Sequence, residues 1–155
     1  MTRVNLVPPE ELADQHLFAE FRELKMVPKS LRRSIAAHGL EVVLRRIPAA
    51  YTLGTGHVSF FYDKGLFLQQ RYSRIRHELR RRGVAFNEAA LLDPDRVFEL
   101  DPRLRRDYVP PRGTMLLAWV DGYWISLPTA RTDTGFSAEH GGTQVELMLE
   151  RRGDR

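Results

Sequence analysis

The chain has 155 residues, 43% hydrophobic and 28% charged, with 24 Lys and Arg against 20 Asp and Glu for a net charge of +4. That length suits one domain with a packed core, which excludes wholesale disorder and fibrous classes, and the absence of cysteine excludes disulfides, thiolate metal sites and cysteine nucleophiles. No apolar run reaches the roughly 20 residues of a membrane span, and the opening MTRVNLVPPEELADQ lacks the apolar stretch of a secretory signal. The expectation is therefore a soluble, cytoplasmic protein with no membrane partner. The charge is uneven: residues 1–112 carry 20 basic and 14 acidic side chains, a net of +6, and residues 113–155 carry 4 and 6, a net of −2. Arginine supplies 21 of the 24 basic residues. Its planar fork suits phosphate, although a GC-rich genome also spells basic residues this way.

In chain order, Pro8, Pro9 and Glu10 mark a helix entry, and the spacing predicts a helix over about 11–25. Ala13, Leu17, Phe21 and Leu24 form its core stripe. The opposite face carries Gln15, His16, Ala19, Arg22 and Glu23, a continuous polar stripe around a small alanine. Glu20 falls at the edge of the apolar face and reads as a solvated or ion-paired carboxylate. Pro28 predicts a break or kink, followed by a basic helical stretch over 29–37 that ends near Gly39.

Residues 45–57 read as a connecting loop. Gly54 and Gly56 within LGTGH permit a tight turn; the segment lacks the patterns of a nucleotide-phosphate loop, and the following Phe60, Phe61 and Tyr62 read as core. The next helix spans 65–82, with Leu68, Tyr72, Ile75 and Leu79 on one stripe and Gly83 at its end. Arg71, Arg74, Arg76, Arg80, Arg81 and Arg82 occupy its other faces, a candidate phosphate-contact surface. Prolines punctuate 88–112 into loops and short turns. An apolar stretch at 114–127 predicts a further helix, with Trp119, Tyr123 and Trp124 as core or stacking aromatics, and a short helix is possible at 144–151. The fold class is all-α: a single compact domain of about three helices with long connecting loops. Residues 1–127 form the working domain and 128–155 a divergent, mobile tail.

The opening MTRVNL, the stretch ELADQHLFAEFREL and the later LGTGHVSFFYDK closely resemble the pyrimidine-dimer DNA glycosylases of the phage endonuclease V type. The resemblance covers about residues 1–110 and is looser over 25–50. It implies a helical domain with its N-terminal segment threaded between helices. It also implies a DNA repair enzyme that excises cis-syn cyclobutane pyrimidine dimers and nicks the abasic strand by β-elimination, with no metal or organic cofactor. The implied nucleophile is the α-amino group of Thr2, exposed once Met1 is removed, and Glu23 matches the catalytic carboxylate. Arg3, Gln15, His16 and Arg22 match active-site and DNA-contacting positions; Met26 stands where an arginine is common and Phe21 where a tyrosine is. After residue 113 the chain departs from the pattern, through divergence or a reading-frame change.

An α-amine suits this chemistry. Its pKa of about 7.7–8.0, against about 10.4 for lysine, leaves roughly a tenth neutral at pH 7 without elaborate tuning. The expected partner is double-stranded DNA holding UV lesions or abasic sites, bound by a monomer, with Arg71 and Arg74 of the arginine-rich helix added to the DNA face. Two alternatives stand beside this reading: a damaged-DNA-binding relative with impaired catalysis, and a glycosylase and lyase for oxidised purines or abasic sites.

Overall fold

Proline and glycine punctuation divides the chain into short helices. The computed structural model describes residues 4–52 and 54–111, and within them the helices are α1 (Asp14–Glu23), α2 (Met26–His38), α3 (Leu40–Arg45), α4 (His57–Phe60) and α5 (Gly65–Arg81). Three 3-10 turns, Pro9–Glu11, Val97–Glu99 and Pro102–Leu104, punctuate the rest, and an isolated antiparallel bridge joins Lys64 to Arg105. The all-α expectation holds. The expected helix at 114–127, its three aromatics, the short helix at 144–151 and the boundary at residue 127 lie outside the described residues.

Two boundaries differ from expectation. The first helix begins at Asp14, since the prolines set a 3-10 turn and Leu12 then adopts an extended conformation that turns its side chain into the core. Ala13 caps α1 and is exposed, so the core stripe starts at Leu17. Pro28 neither breaks nor ends the second helix: it sits in the first turn of α2, where backbone N–H groups have no intrahelical acceptor to lose. The expected loop at 45–57 holds apart from its two end residues, since Arg45 closes α3 and His57 opens α4.

Leu17 and Phe21 of α1, with Leu24 at its C-cap, face Leu68, Tyr72, Ile75 and Leu79 of α5, all buried. Phe21 stacks on Tyr72 with ring centroids 5.3 Å apart and meets Phe86 edge-on at 5.1 Å. The Tyr62 hydroxyl ties α4's C-terminal side to α2 through Ser30 Oγ at 2.7 Å. Gly65, the first residue of α5, lies directly beneath the 97–104 segment. A Cβ there would stand 2.7 Å from Phe98 Cγ and 2.8 Å from the Leu104 carbonyl oxygen, so only glycine lets the two approach.

Residues 4–7 are buried and run between the helices, held by side chains from several elements. The Asn5 N–H donates to Glu20 Oε1 at 3.2 Å and Asn5 Nδ2 to Glu20 Oε2 at 2.7 Å. Arg71 Nη1 donates to the Val7 carbonyl at 2.8 Å, and the Val4 N–H donates to His57 Nε2 at 2.9 Å. Further along, Arg82 donates to the carbonyls of Leu12 at 2.6 Å and Glu10 at 3.0 Å and pairs with Asp14 at 2.8 Å. It thereby staples the end of α5 to the start of α1.

Two stability tests follow from these contacts. Gly65→Ala is expected to lower stability by about 1–3 kcal/mol through overpacking, read as a fall in the thermal midpoint. Glu78 is buried, and hydrogen bonds from Arg81 first, then Arg82, hold its carboxyl well below 4.5, at about 2. A depressed carboxylate stabilises above its unfolded value and loses that contribution as pH falls. Acid titration of stability should therefore show a loss between about pH 4.5 and 2 that is absent in Glu78→Gln.

Candidate functional site

The open face of α1 carries the expected polar stripe. Gln15 and Arg22 are exposed, and His16, Ala19 and Glu23 are half-buried. Gln15 Nε2 lies 3.5 Å from His16 Nε2. Partial burial lowers the His16 pKa below its usual 6.5, which favours a neutral imidazole near pH 7 that exchanges hydrogen bonds with a ligand and adds no charge. The small Ala19 leaves space between the longer side chains.

Glu20 is the internal competitor for Glu23, and its environment separates the two. It is 2% exposed and accepts four hydrogen bonds: two from Asn5, one from Arg71 Nε and one from Arg71 Nη2 at 3.0 Å. The ion-paired reading is right and the solvated one is overturned. A carboxylate saturated in this way has no lone pair left for a substrate. Glu23 stands one turn further on, about 4.5 Å along the axis, and is half-open to solvent. The Asn5 to Glu20 clasp brings the amino-terminal segment against this helix. Thr2, expected as the nucleophile, and Arg3 lie outside the described residues, three and two positions before Asn5.

The arginine-rich helix α5 does not present the expected basic face. Arg71 points inward, 6% exposed, with its guanidinium engaged by Glu20 and by Val7, so no nitrogen is left for a phosphate. It was expected at the DNA surface; the structure makes it an internal tie. Arg74 is exposed but pairs with Glu10 at 3.2 Å. Arg76 and Arg80 both reach Glu88, while Arg81 and Arg82 share Glu78. The charge of α5 is largely neutralised from within.

A different set of cations lacks such partners. Among the described residues, no carboxylate pairs with Arg22, Lys25, Lys29 or Arg33. The Lys25 ammonium lies 4.7 Å from the Phe21 ring centroid, and its pKa is lowered by desolvation and then by the positive charges of Lys29 and Arg22. Mutual repulsion of this kind marks a site where an anion would be stabilised. Lys29 and Arg33 are exposed one turn apart on α2. This cluster continues the open face of α1 beyond Arg22. The sequence held a signal for it: the helical neighbours of Lys29 at three and four positions are Lys25, Met26, Arg32 and Arg33, with no acid among them.

The arrangement so far is an open helix face with the half-buried Glu23 on it, a tethered amino-terminal segment, and a run of cations beside both that no carboxylate among the described residues pairs with. A family model described as pyrimidine dimer DNA glycosylase matches residues 1–92.

Proposed function

The chain belongs to the pyrimidine dimer DNA glycosylase family, and from that premise we propose that it excises cis-syn cyclobutane pyrimidine dimers from duplex DNA and then cleaves the strand at the abasic site. The observation that carries this reading is the Asn5 to Glu20 clasp. Three residues span at most about 11 Å, so an α-amine at Thr2 is leashed to the helix that holds Glu23.

In the proposed reaction the neutral amine attacks the sugar C1′. A C1′–N bond forms to the enzyme, the glycosidic bond breaks, and the pyrimidine departs with its electron pair and takes up a proton. Opening of the sugar ring gives a protonated imine. That cation acidifies the C2′ hydrogen; loss of this proton places a double bond between C2′ and C3′, and the 3′ phosphate leaves. Glu23 supports both stages, stabilising the oxocarbenium-like charge at C1′ and relaying protons. Arg3 and Arg22, flanking the nucleophile and the carboxylate in sequence, are proposed to hold phosphates around the lesion. Gln15 and His16 supply neutral hydrogen bonds, and Lys25, Lys29 and Arg33 extend the phosphate contacts along α2. Arg74 has a minor part at most, since Glu10 already holds it. The dimer is buried in the duplex stack, so reaching C1′ requires kinking the DNA and expelling a nucleotide.

Borohydride should trap the protein covalently on duplexes containing a dimer or an abasic site, and acetylation of the N-terminus should abolish trapping. Glu23→Gln is expected to lose excision by at least a hundredfold while retaining binding to the lesion. Trapping that survives acetylation sinks the α-amine, and trapping on formamidopyrimidine duplexes in preference to dimers would reassign the substrate. The electrostatic part has its own measurement: Lys25→Gln, Lys29→Gln and Arg33→Gln should each reduce the salt dependence of duplex binding by about one unit of slope. Arg74→Gln should change it less.

A further inference from the structure

Tyr51 and His57 hold Val4 by both of its backbone groups. Val4 N–H donates to His57 Nε2 at 2.9 Å, and the Tyr51 hydroxyl donates to the Val4 carbonyl at 3.4 Å. On the other side of the ring, His57 Nδ1 lies 2.7 Å from the Thr52 carbonyl oxygen. A backbone amide only donates and a carbonyl only accepts, so the ring must be neutral with its proton on Nδ1. Edge-on contacts from Tyr51 at 5.3 Å and Phe61 at 5.6 Å fix the ring's plane, and the imidazole is buried. Gly56, at φ +89°, turns the chain so that the histidine faces inward; a Cβ there would stand 3.0 Å from Pro48 Cγ.

We infer that His57 is a positioning residue for the amino-terminal nucleophile, acting through the Val4 N–H. The inference rests on the proposed role of Thr2. Its geometric basis is covalent. The Val4 N–H belongs to the rigid peptide plane that joins Arg3 to Val4. Fixing that hydrogen bond fixes the plane, and only the two backbone dihedrals of Arg3 and the ψ of Thr2 then separate it from the α-amine. Without it, the nearest fixed group among the described residues is Asn5, and the leash lengthens from about 7 Å to about 11 Å. Misplacing a reacting group by an ångström costs up to about a hundredfold in rate, so the lock acts on reactivity and leaves DNA affinity alone.

Two variants separate positioning from folding. His57→Phe keeps a ring and deletes both hydrogen bonds; His57→Gln keeps an acceptor for Val4 and a donor for Thr52. With abasic duplex in excess, the first should slow borohydride trapping at least tenfold with the dissociation constant for the duplex changed less than twofold, and the second should recover most of the rate. Equal rates in Phe and Gln variants, or a wild-type rate in the Phe variant, overturn the inference. In the wild-type protein, ¹⁵N NMR should report the Nδ1–H tautomer at His57 and a Val4 amide protected from exchange by at least a hundredfold. An unprotected Val4 amide overturns the lock whatever the variants do. A wild-type protein that shows the protected amide and fails to trap overturns the Thr2 reading instead, and with it the purpose assigned to the lock.

Discussion

The buried ion pair between Glu20 and Arg71 is the constraint on which the remaining architecture depends. Two charges removed from water are costly unless every lone pair and proton finds a partner. Here Glu20 receives two hydrogen bonds from Arg71 and two from Asn5, and a third Arg71 nitrogen reaches the Val7 carbonyl. The pair cannot be satisfied by α1 and α5 alone; it requires the amino-terminal segment to lie between them. Packing of the two helices and placement of residues 4–7 are thus one event. A carboxylate so engaged has no lone pair left to offer a ligand.

The same logic redistributes the charge of the surface. Composition gives α5 five arginines and a sixth, Arg82, at its C-cap, yet each has a carboxylate within reach, on the same helix or on a neighbouring segment. Positive potential is set by cations without nearby acids, and four cations that no carboxylate pairs with among the described residues, Arg22, Lys25, Lys29 and Arg33, lie near the α1 to α2 junction. The count of basic residues on a helix therefore does not by itself tell where positive charge is left uncompensated. Lys25 shows the effect most directly, since burial and two like charges act on one ammonium.

Much of this was legible in the residues. The apolar stripes of α1 and α5 marked their buried faces, though not that the two would pack on each other, and the polar stripe from Gln15 to Glu23 gave the open face. The burial of Glu20 and Arg71 was also written there: Glu20 lies three positions after Leu17 and four before Leu24, and Arg71 stands in the same relation to Leu68 and Ile75. A charge embedded in an apolar stripe calls for an opposite charge in another. What periodicity does not carry is the identity of that partner, or the tether of residues 4–7, whose bonds join positions 15 to 64 residues apart. The start of α1 was misjudged because two prolines suit a 3-10 turn as well as a first helical turn. The short helices α3 and α4 span too few residues to show a period.

These separations have a consequence in time. The acceptor for Val4 lies 53 residues downstream and the donor to Val7 lies 64 downstream. At about 5–20 residues per second of synthesis, the leading segment of the nascent chain waits roughly 3 to 13 s before its holders have even been made. During that interval residues 4–7 lack the side chains that hold them, so the segment is fixed in place only when the later helices arrive.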